Sequence, residues 1–488
     1  MALQYKILRY TDPTISLDEM STIDQQNPNS PVQSKENAEA MGGWFPLVEI
    51  NKHKFTDGIR SLSIDETGSV PTCMVSVACT DGIFISTAFP KDGDLLSVFI
   101  RSKKDEIKPL RTDFVITNVV ASPSVDSSGE MTVFTISGMM WIPNFYGEHC
   151  KSYTDLTSFD ALMQLSQDLK LGFASNETST SDKMTWICGY DTYQKFMTDI
   201  TMAAYKDDSS FYKAWIDHNY YVNFLNCNTQ FSDEFDIDKA FEEFNGNTDY
   251  YDDNKIQTLE QKLVLCNHEF MKGYGGYILG YTLLNNSGSV AMDNGYRRYV
   301  QYYDALLNTN TPLDKYVNFF IEPLQTEGTT NKIILRGRPN DPTSGKEKRY
   351  KWLGLQSDSN AHENYHYALI QNWQNNEEID KLMFYCTLPK CNFNIYKGMR
   401  IPVIIINDGN TQRQKMTKNP DAQSEHDSIS FDKFLSGYYM VHGFRYNWND
   451  KTTKFTQELY LTRREWPMPN FVPAATSAGS DINTSTSN

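Results

Sequence analysis

The chain has no CxxC pair. Its eight cysteines, Cys73, Cys79, Cys150, Cys188, Cys227, Cys266, Cys386 and Cys391, are scattered. This argues against a zinc ribbon and for reduced thiols, several of them serving as small buried apolar residues. No apolar run approaches the roughly 20 residues that span a bilayer. The opening MALQYKILRY lacks the apolar centre of a signal peptide, so the expected compartment of folding is a cytoplasm. A basic stripe is missing too. The formal net charge is −16 and the pI ≈ 5.0, whereas a groove that grips nucleic acid needs clustered Lys and Arg. Such a balance suits a surface that nucleic acid slides past, and equally a soluble acidic protein kept apart by self-repulsion. The short basic runs Lys103-Lys104 and Lys346 to Lys351 read as solvated loops. There is no GxxxxGK[ST] phosphate loop and no GxSxG elbow, and Gly273-Tyr274-Gly275-Gly276 lacks the full dinucleotide spacing and reads as a turn. Acidic residues are plentiful, but nothing singles out a carboxylate pair for glycoside hydrolysis.

What is present is β-strand signal. At 488 residues the length suggests about three or four domains. Aromatics reach 13%, with 29 Tyr and 27 Phe, a composition that favours sheets and wide interfaces. From Trp44 to Ile142 short alternating runs follow one another. Pro71 to Ala78 places Cys73, Val75 and Val77 on one face, and Gly82 to Ser86, Leu95 to Arg101, Asp113 to Val120 and Met131 to Gly138 are further strands. This spacing predicts a small antiparallel barrel or sandwich. A helix follows, with Ser158 as its expected cap, Phe159, Leu162, Met163, Leu165 and Leu169 on its apolar side, and Gly172 as a left-handed terminator. A polar loop with Asn176, Thr180 and Asp182 leads to Met184-Thr185-Trp186-Ile187, a second helix over about 192–204 and an aromatic strand from Asp217 to Leu225. Residues 232–254 are strongly acidic without EF-hand spacing, so they read as a solvated loop or surface helix. Strands are expected at 262–267, 277–284, 316–321 and 332–337. A second β cluster covers 381–388, 399–407, 437–445 and 455–463, with a hairpin turn at Asn449-Asp450. Residues 11–43 read as an extended arm, 408–430 as a polar insertion and 467–488 as a disordered tail.

One motif tempts towards catalysis. His362-Glu363-Asn364-Tyr365-His366 fits HExxH, which on a helix sets two His one turn apart to share zinc, with the Glu as general base. A polar SDSN precedes it and position 372, where an extended motif needs a third His, is Asn. The plainer expectation is a structural helix with Tyr365, Ala368, Leu369 and Trp373 packed inward and both His near its exposed start. No catalytic residue, no cofactor and no metal is therefore expected, and His362 and His366 stay as the alternative metal pair.

Four stretches, in order, carry a resemblance: Gly93 to Val119, Thr154 to Phe231, Asn360 to Asn407 and Ser436 to Trp466. Together they resemble the central hub proteins of the baseplates of contractile-tailed phages. The resemblance implies an α+β, β-rich chain with two small antiparallel, tail-tube-like β-barrel domains and attached α/β domains, forming a trimeric ring. It implies an N-terminal strand and arm at 1–43, a first barrel at 44–143, a small α/β domain at 144–221, a second barrel from 222–245 with 376–466, an inserted α/β domain at 246–375 and the tail at 467–488. Two similar barrels per chain and three chains give six similar units, so such a ring adapts a six-fold tube to a three-fold spike. The implied partners are two further copies, a tail spike protein, a tail tube protein, the surrounding baseplate wedge proteins and the tape measure protein. DNA would meet the chain only in transit through the lumen, and the protein would sit in the virion tail after assembly in the host cytoplasm. The rival readings are a zinc peptidase using His362, Glu363 and His366, another tail component such as a distal tail protein, and a β-rich glycan-binding protein.

Overall fold

A computed structural model describes residues 7–15, 44–51, 53–55, 58–79, 84, 86, 89–102, 110–126, 129–207, 210–231, 264–267, 276–286, 297–303, 317–319, 347–355, 361–362, 364–379, 382–389, 391–393, 395–406, 432, 435–452 and 454–463. The expected strand at 332–337, the acidic stretch, the polar insertion, the tail and most of the arm lie outside these residues. In chain order the elements are β1 (Leu8–Thr11), β2 (Trp44–Ile50), β3 (His53–Phe55), β4 (Ile59–Asp65), β5 (Thr72–Cys79), β6 (Leu95–Ser102), β7 (Leu110–Asp126), β8 (Gly129–Met140), β9 (Glu148–Leu156), α1 (Ser158–Asp168), β10 (Gly172–Ser175), β11 (Met184–Thr192), α2 (Tyr193–Ala203), β12 (Tyr212–Ile216) and β13 (Tyr221–Asn226). They continue with β14 (Leu265–Cys266), β15 (Gly280–Asn285), β16 (Arg297–Tyr303), β17 (Val317–Phe319), β18 (Glu347–Leu355), α3 (Tyr365–Ile379), β19 (Leu382–Leu388), β20 (Arg400–Ile404), β21 (Gly437–Asn449) and β22 (Phe455–Thr462). None of the described helices is long and apolar enough to cross a membrane.

Alternation builds the strands. β5 buries Cys73, Val75, Val77 and Cys79 and turns the residues between them outward, as the period of two requires. β22 alternates in the same way. Among the described residues these strands join into one 13-stranded sheet in the order β15-β19-β22-β21-β4-β5-β8-β7-β6-β2-β3, with β20 also on β21 and β14 on β20. Two separate closed barrels are not what it forms. The reason lies in β21. Its first residues pair with β20 (Arg400 opposite Met440) and its last five with β4 (Asp65 opposite Arg445 to Ser61 opposite Asn449), while β22 occupies its other edge. An edge taken by β4 is unavailable for closing the second strand set on itself. One large buried apolar cluster spans the whole, holding Val75 and Phe114 of the first set, Leu162 and Phe196 of the helices, and Phe384 and Leu459 of the second set, and a smaller one joins Phe211, Trp215 and Leu225 to Ile379 and Met440.

The helices pack beside a four-stranded sheet of order β1-β10-β13-β12. Two local expectations change here. The cap of α1 is Thr157, whose Oγ1 accepts from Asp160 N, while Ser158 is the first helical residue and is buried. The left-handed residue after α1 is Lys170 (φ 60°). Gly172 instead opens β10, where a Cβ would meet the Tyr221 ring at 2.5 Å, so glycine serves close strand packing. The strand at 221–226 lies between β10, parallel to it, and β12, antiparallel to it. Elsewhere, the basic run Lys346 to Lys351, expected as a solvated loop, contributes residues 347–351 to β18, which is parallel to β16. Phe84 and Ser86, expected in a strand, are helical.

Candidate functional site

His362 does not join α3. It precedes the helix, its carbonyl accepting from Tyr365 N at 3.1 Å. It is 7% exposed rather than sitting at an open helix start. Its Nε2 lies 3.0 Å from Ala203 O, so the ring donates to the end of α2, and it stacks near Tyr205. His366 is the second residue of α3, so the two histidines are not set one turn apart on one helix. Glu363 lies outside the described residues. Among the described residues no group of three His, Cys, Asp or Glu is placed to hold a metal.

The Asn at position 372 has a clear part instead. It is fully buried, gives Nδ2 to Met202 O (2.9 Å) and Ala204 O (2.8 Å), and accepts from Tyr212 N with Oδ1 (2.8 Å). With His362 it satisfies three successive carbonyls at the C-terminus of α2, which a helix end leaves without partners. The buried face of α3 therefore carries Gln371, Asn372 and Asn375 beside Ala368, and Tyr365 and Leu369 pack partly buried against the core.

The polar loop between α1 and β11 is equally structural. Asp182, fully buried, accepts from Ser158 N (2.8 Å), Thr180 Oγ1 (2.7 Å) and Tyr205 N (2.8 Å). It pins the start of α1 to the chain after α2. Asn176 braces the end of β13, accepting from Asn226 N at 2.8 Å and donating to Thr229 Oγ1 at 2.7 Å.

A cluster of ionisable groups sits where the segments meet, around the turn between β4 and β5. Asp65 accepts from Thr67 N (2.8 Å) and Oγ1 (2.6 Å) and from Arg445 Nη2 (2.5 Å) and Nε (3.0 Å). Burial pushes its carboxyl up, but the hydrogen bonds from Thr67 and the Arg445 guanidinium outweigh it and hold the group below its usual range. Glu66, 2% exposed, pairs with His218 Nδ1, and its own N–H donates to Phe444 O at 2.9 Å. Burial pulls His218 down, yet the Glu66 charge and hydrogen bond together with Asp217 leave it raised above 6.5. Ser69 O accepts from Ile216 N at 2.9 Å.

Lys397, 8% exposed, reaches across from the second strand set. Its Nζ donates to Thr67 O (3.0 Å) and Gly68 O (2.6 Å) and lies 5.4 Å from the Trp215 ring centre. Burial first, and then the Lys213 charge, bring its amine down to about 7. His442 is pulled well below 6.5 by burial and then by Lys213 and Lys397. Two glycines make the approach possible. A Cβ on Gly443 would stand 2.7 Å from Thr67 Cα, and Gly398 has φ +80° with Leu225 and Trp215 within 2.8 Å of where its Cβ would be. Sequence reading found none of these junction residues. Glu66, His218 and Lys397 all lie in turns outside the strands, where polar residues are ordinary and carry no signal.

No protein-family model matches the chain, and no curated protein does. Among solved structures it is similar to tail proteins. The tail protein from Neisseria meningitidis MC58 shares 10% identity over 86% of this chain and 97% of its own, with a TM-score of 0.46. The 43 kDa tail protein of prophage MuSo2 from Shewanella oneidensis shares 8% over 86% of this chain and 97% of its own, with a TM-score of 0.45. The E. coli c3393 protein, a component of the type VI secretion system with structural similarity to the T4 bacteriophage tail proteins gp27 and gp5, shares 8% over 87% and 80%, with a TM-score of 0.38.

Proposed function

We propose that the chain is a structural component of a phage tail, the hub of its baseplate. The observation that carries this reading is the edge-to-edge union of two antiparallel strand sets in one chain through the pairing of β21 with β4. Two side-by-side sets are the repeat a three-chain ring needs to present six similar units to a six-fold tube and three to a spike. The outer strand of the second set supports further addition. Among the described residues β15 ends the sheet, and Leu279 (61% exposed), Tyr281 and Leu284 are exposed on or beside it, an edge suited to a neighbouring chain. In this reading the strand sets stand for the two barrel domains read at 44–143 and at 222–245 with 376–466, the helical unit for 144–221 and 246–375 for an insertion, although β13 sits in the sheet of the helical unit and β14 and β15 join the second set. The partners are two further copies, the spike, the tube, the wedge proteins and the tape measure protein, with DNA passing through the lumen. No covalent chemistry and no cofactor are required, and the place of action is the virion tail after assembly in the host cytoplasm.

Native mass spectrometry of the purified full-length chain, without chelator, is the test. A metal-free trimer is expected. A six-fold ring would favour another tail component, such as a distal tail protein, and a monomer carrying one zinc ion would overturn the reading in favour of His362 and His366.

A further inference from the structure

A cavity of ≈ 280 Å³ opens at the junction, walled by the turn between β4 and β5, α2, β12, α3, Lys397 and His442. The Lys397 amine stands on this wall. Its Nζ donates to Thr67 O and Gly68 O and lies beside the Trp215 ring, and all three of these neighbours also line the cavity. Among the described residues the amine bonds to these two carbonyls and to no carboxylate. A buried ammonium in that position is costly and has a third N–H to place. A neutral amine has two N–H groups, which the two carbonyls take, and one lone pair left over. Burial first, and then the Lys213 charge, lower this amine to about 7, against Glu66, Asp65 and Cys227, which raise it. Near neutral pH about half of it is therefore the free base, whereas fewer than about one in a thousand ordinary lysine amines are.

We propose that Lys397 is a modification site, its amine taking up carbon dioxide from the cavity to form a carbamate. The nitrogen lone pair attacks the carbon, one C–O π pair moves onto oxygen, and the nitrogen releases one proton to water, so that R–NH2 and CO2 become R–NH–COO− and H+. The cavity has room for about nine waters at roughly 30 Å³ each, ample for so small a reactant. Two features favour carbon dioxide over an aldehyde. A carbamate keeps one N–H for the turn, whereas a neutral imine keeps none. The carbamate is also an anion, opposite in charge to Lys213, whereas a protonated imine would repel it. The carboxylates that would oppose a new anion are already held, Asp65 by Arg445 and Glu66 by His218.

The modification inverts a charge at the fastening. Lys397 carries the second strand set onto the turn between β4 and β5. His442, pulled well below 6.5 by burial, Lys213 and Lys397, faces the same cavity, and Lys213 Nζ stands 3.4 Å from its Nδ1. Replacing the Lys397 charge by a negative one draws His442 back up. Formation consumes the free base and releases a proton, so it is favoured as pH rises through neutrality.

The test uses the full-length chain equilibrated in a closed vessel with isotope-labelled carbon dioxide and bicarbonate at constant ionic strength. Carbon NMR reads the carbamate. Trapping with a trialkyloxonium salt, followed by peptide mass spectrometry, locates it and separates it from the chain's α-amine. At pH 7.5 an adduct at Lys397 is expected, occupied at least about tenfold more than any other lysine. At the same dissolved carbon dioxide, pH 6 should cut that occupancy by about tenfold or more. Lys397→Arg keeps donors for the turn and forms no carbamate, so the adduct should vanish with an unchanged circular dichroism spectrum. Lys213→Met removes both the like charge that frees the amine and the cation that faces the product, and should lower occupancy by about fivefold. No adduct at Lys397 at pH 7.5, equal labelling of exposed lysines, or undiminished occupancy in Lys213→Met would each overturn the proposal.

Discussion

Two places in this molecule hold distant segments together, and they use different chemistry. Inside the helical unit, Asp182 gathers two backbone N–H groups and one hydroxyl, donors that do not titrate. At the junction of the strand sets, the donors to the turn between β4 and β5 include Arg445, His218 and Lys397, two of which change charge within reach of neutral pH. A fastening of the first kind is indifferent to donor protonation and belongs to a unit that folds as one piece. A fastening of the second kind makes the attachment of one segment to another depend on pH.

The comparison can be broken from its strongest side first. Asp182→Ala takes the acceptor from two buried donors and one half-buried one, and at roughly 1–3 kcal/mol for each buried group the loss should reach about 3 kcal/mol. Urea denaturation followed by circular dichroism reads it, and a loss below about 1 kcal/mol would remove Asp182 as the pin of α1. Gly443→Val comes next. Its Cβ meets Thr67 Cα, so β21 and the turn must part, at a cost of about 1–3 kcal/mol. Hydrogen exchange should show the Glu66 amide losing protection while Tyr205 keeps its own; equal loss at both would mean that the two fastenings are one.

The third experiment sharpens the contrast through pH. Lys397 is lowered in the folded chain from 10.5 to about 7, so between those values the unfolded chain holds more protons and stability rises with pH. His218 is raised above 6.5, so its contribution is complete below 6.5 and is lost as pH climbs through its folded value. Lys397→Met should abolish the rise and Glu66→Gln the fall in denaturation midpoints measured from pH 6 to 10. If both variants keep the wild-type profile, the junction is not where the chain feels pH. The smallest effect belongs to the exposed Arg60–Asp450 pair at the end of the seam, 2.8 Å apart. Arg60→Ala should cost no more than about 0.5 kcal/mol, and less at high salt. A larger, salt-independent loss would make this pair part of the junction proper.

Much of the strand pattern was readable because it is local. The alternation of Cys73, Val75 and Val77 reports which face is buried whatever the partner strand is, and Thr192 followed by an apolar 3.6-residue period marks α2. Caps were legible only to within a residue, since Thr157 and Ser158 have the same chemistry and only the backbone decides between them. Gly172 misled because glycine answers two needs, a left-handed turn and a close approach, and the sequence does not say which. The HENYH motif was ambiguous for a related reason. Two His four apart share a helix face only where the helix has begun, and it begins at Tyr365. The junction was illegible because its pairs are remote: Glu66 and His218 are 152 residues apart and Lys397 and Gly68 are 329 apart. Nothing local in either partner announces the other.

The pairing of β4 with β21 also sets a clock. Asp65 and Arg445 are 380 residues apart, and synthesis at about 5–20 residues per second puts roughly 20–80 s between them. For all that time the first strand set has its β4 edge unmatched, with every following element already emerging. Such an edge is an invitation to the wrong strand, from this chain or from another copy on the same messenger. The exposure ends only when the hairpin of β21 and β22 arrives.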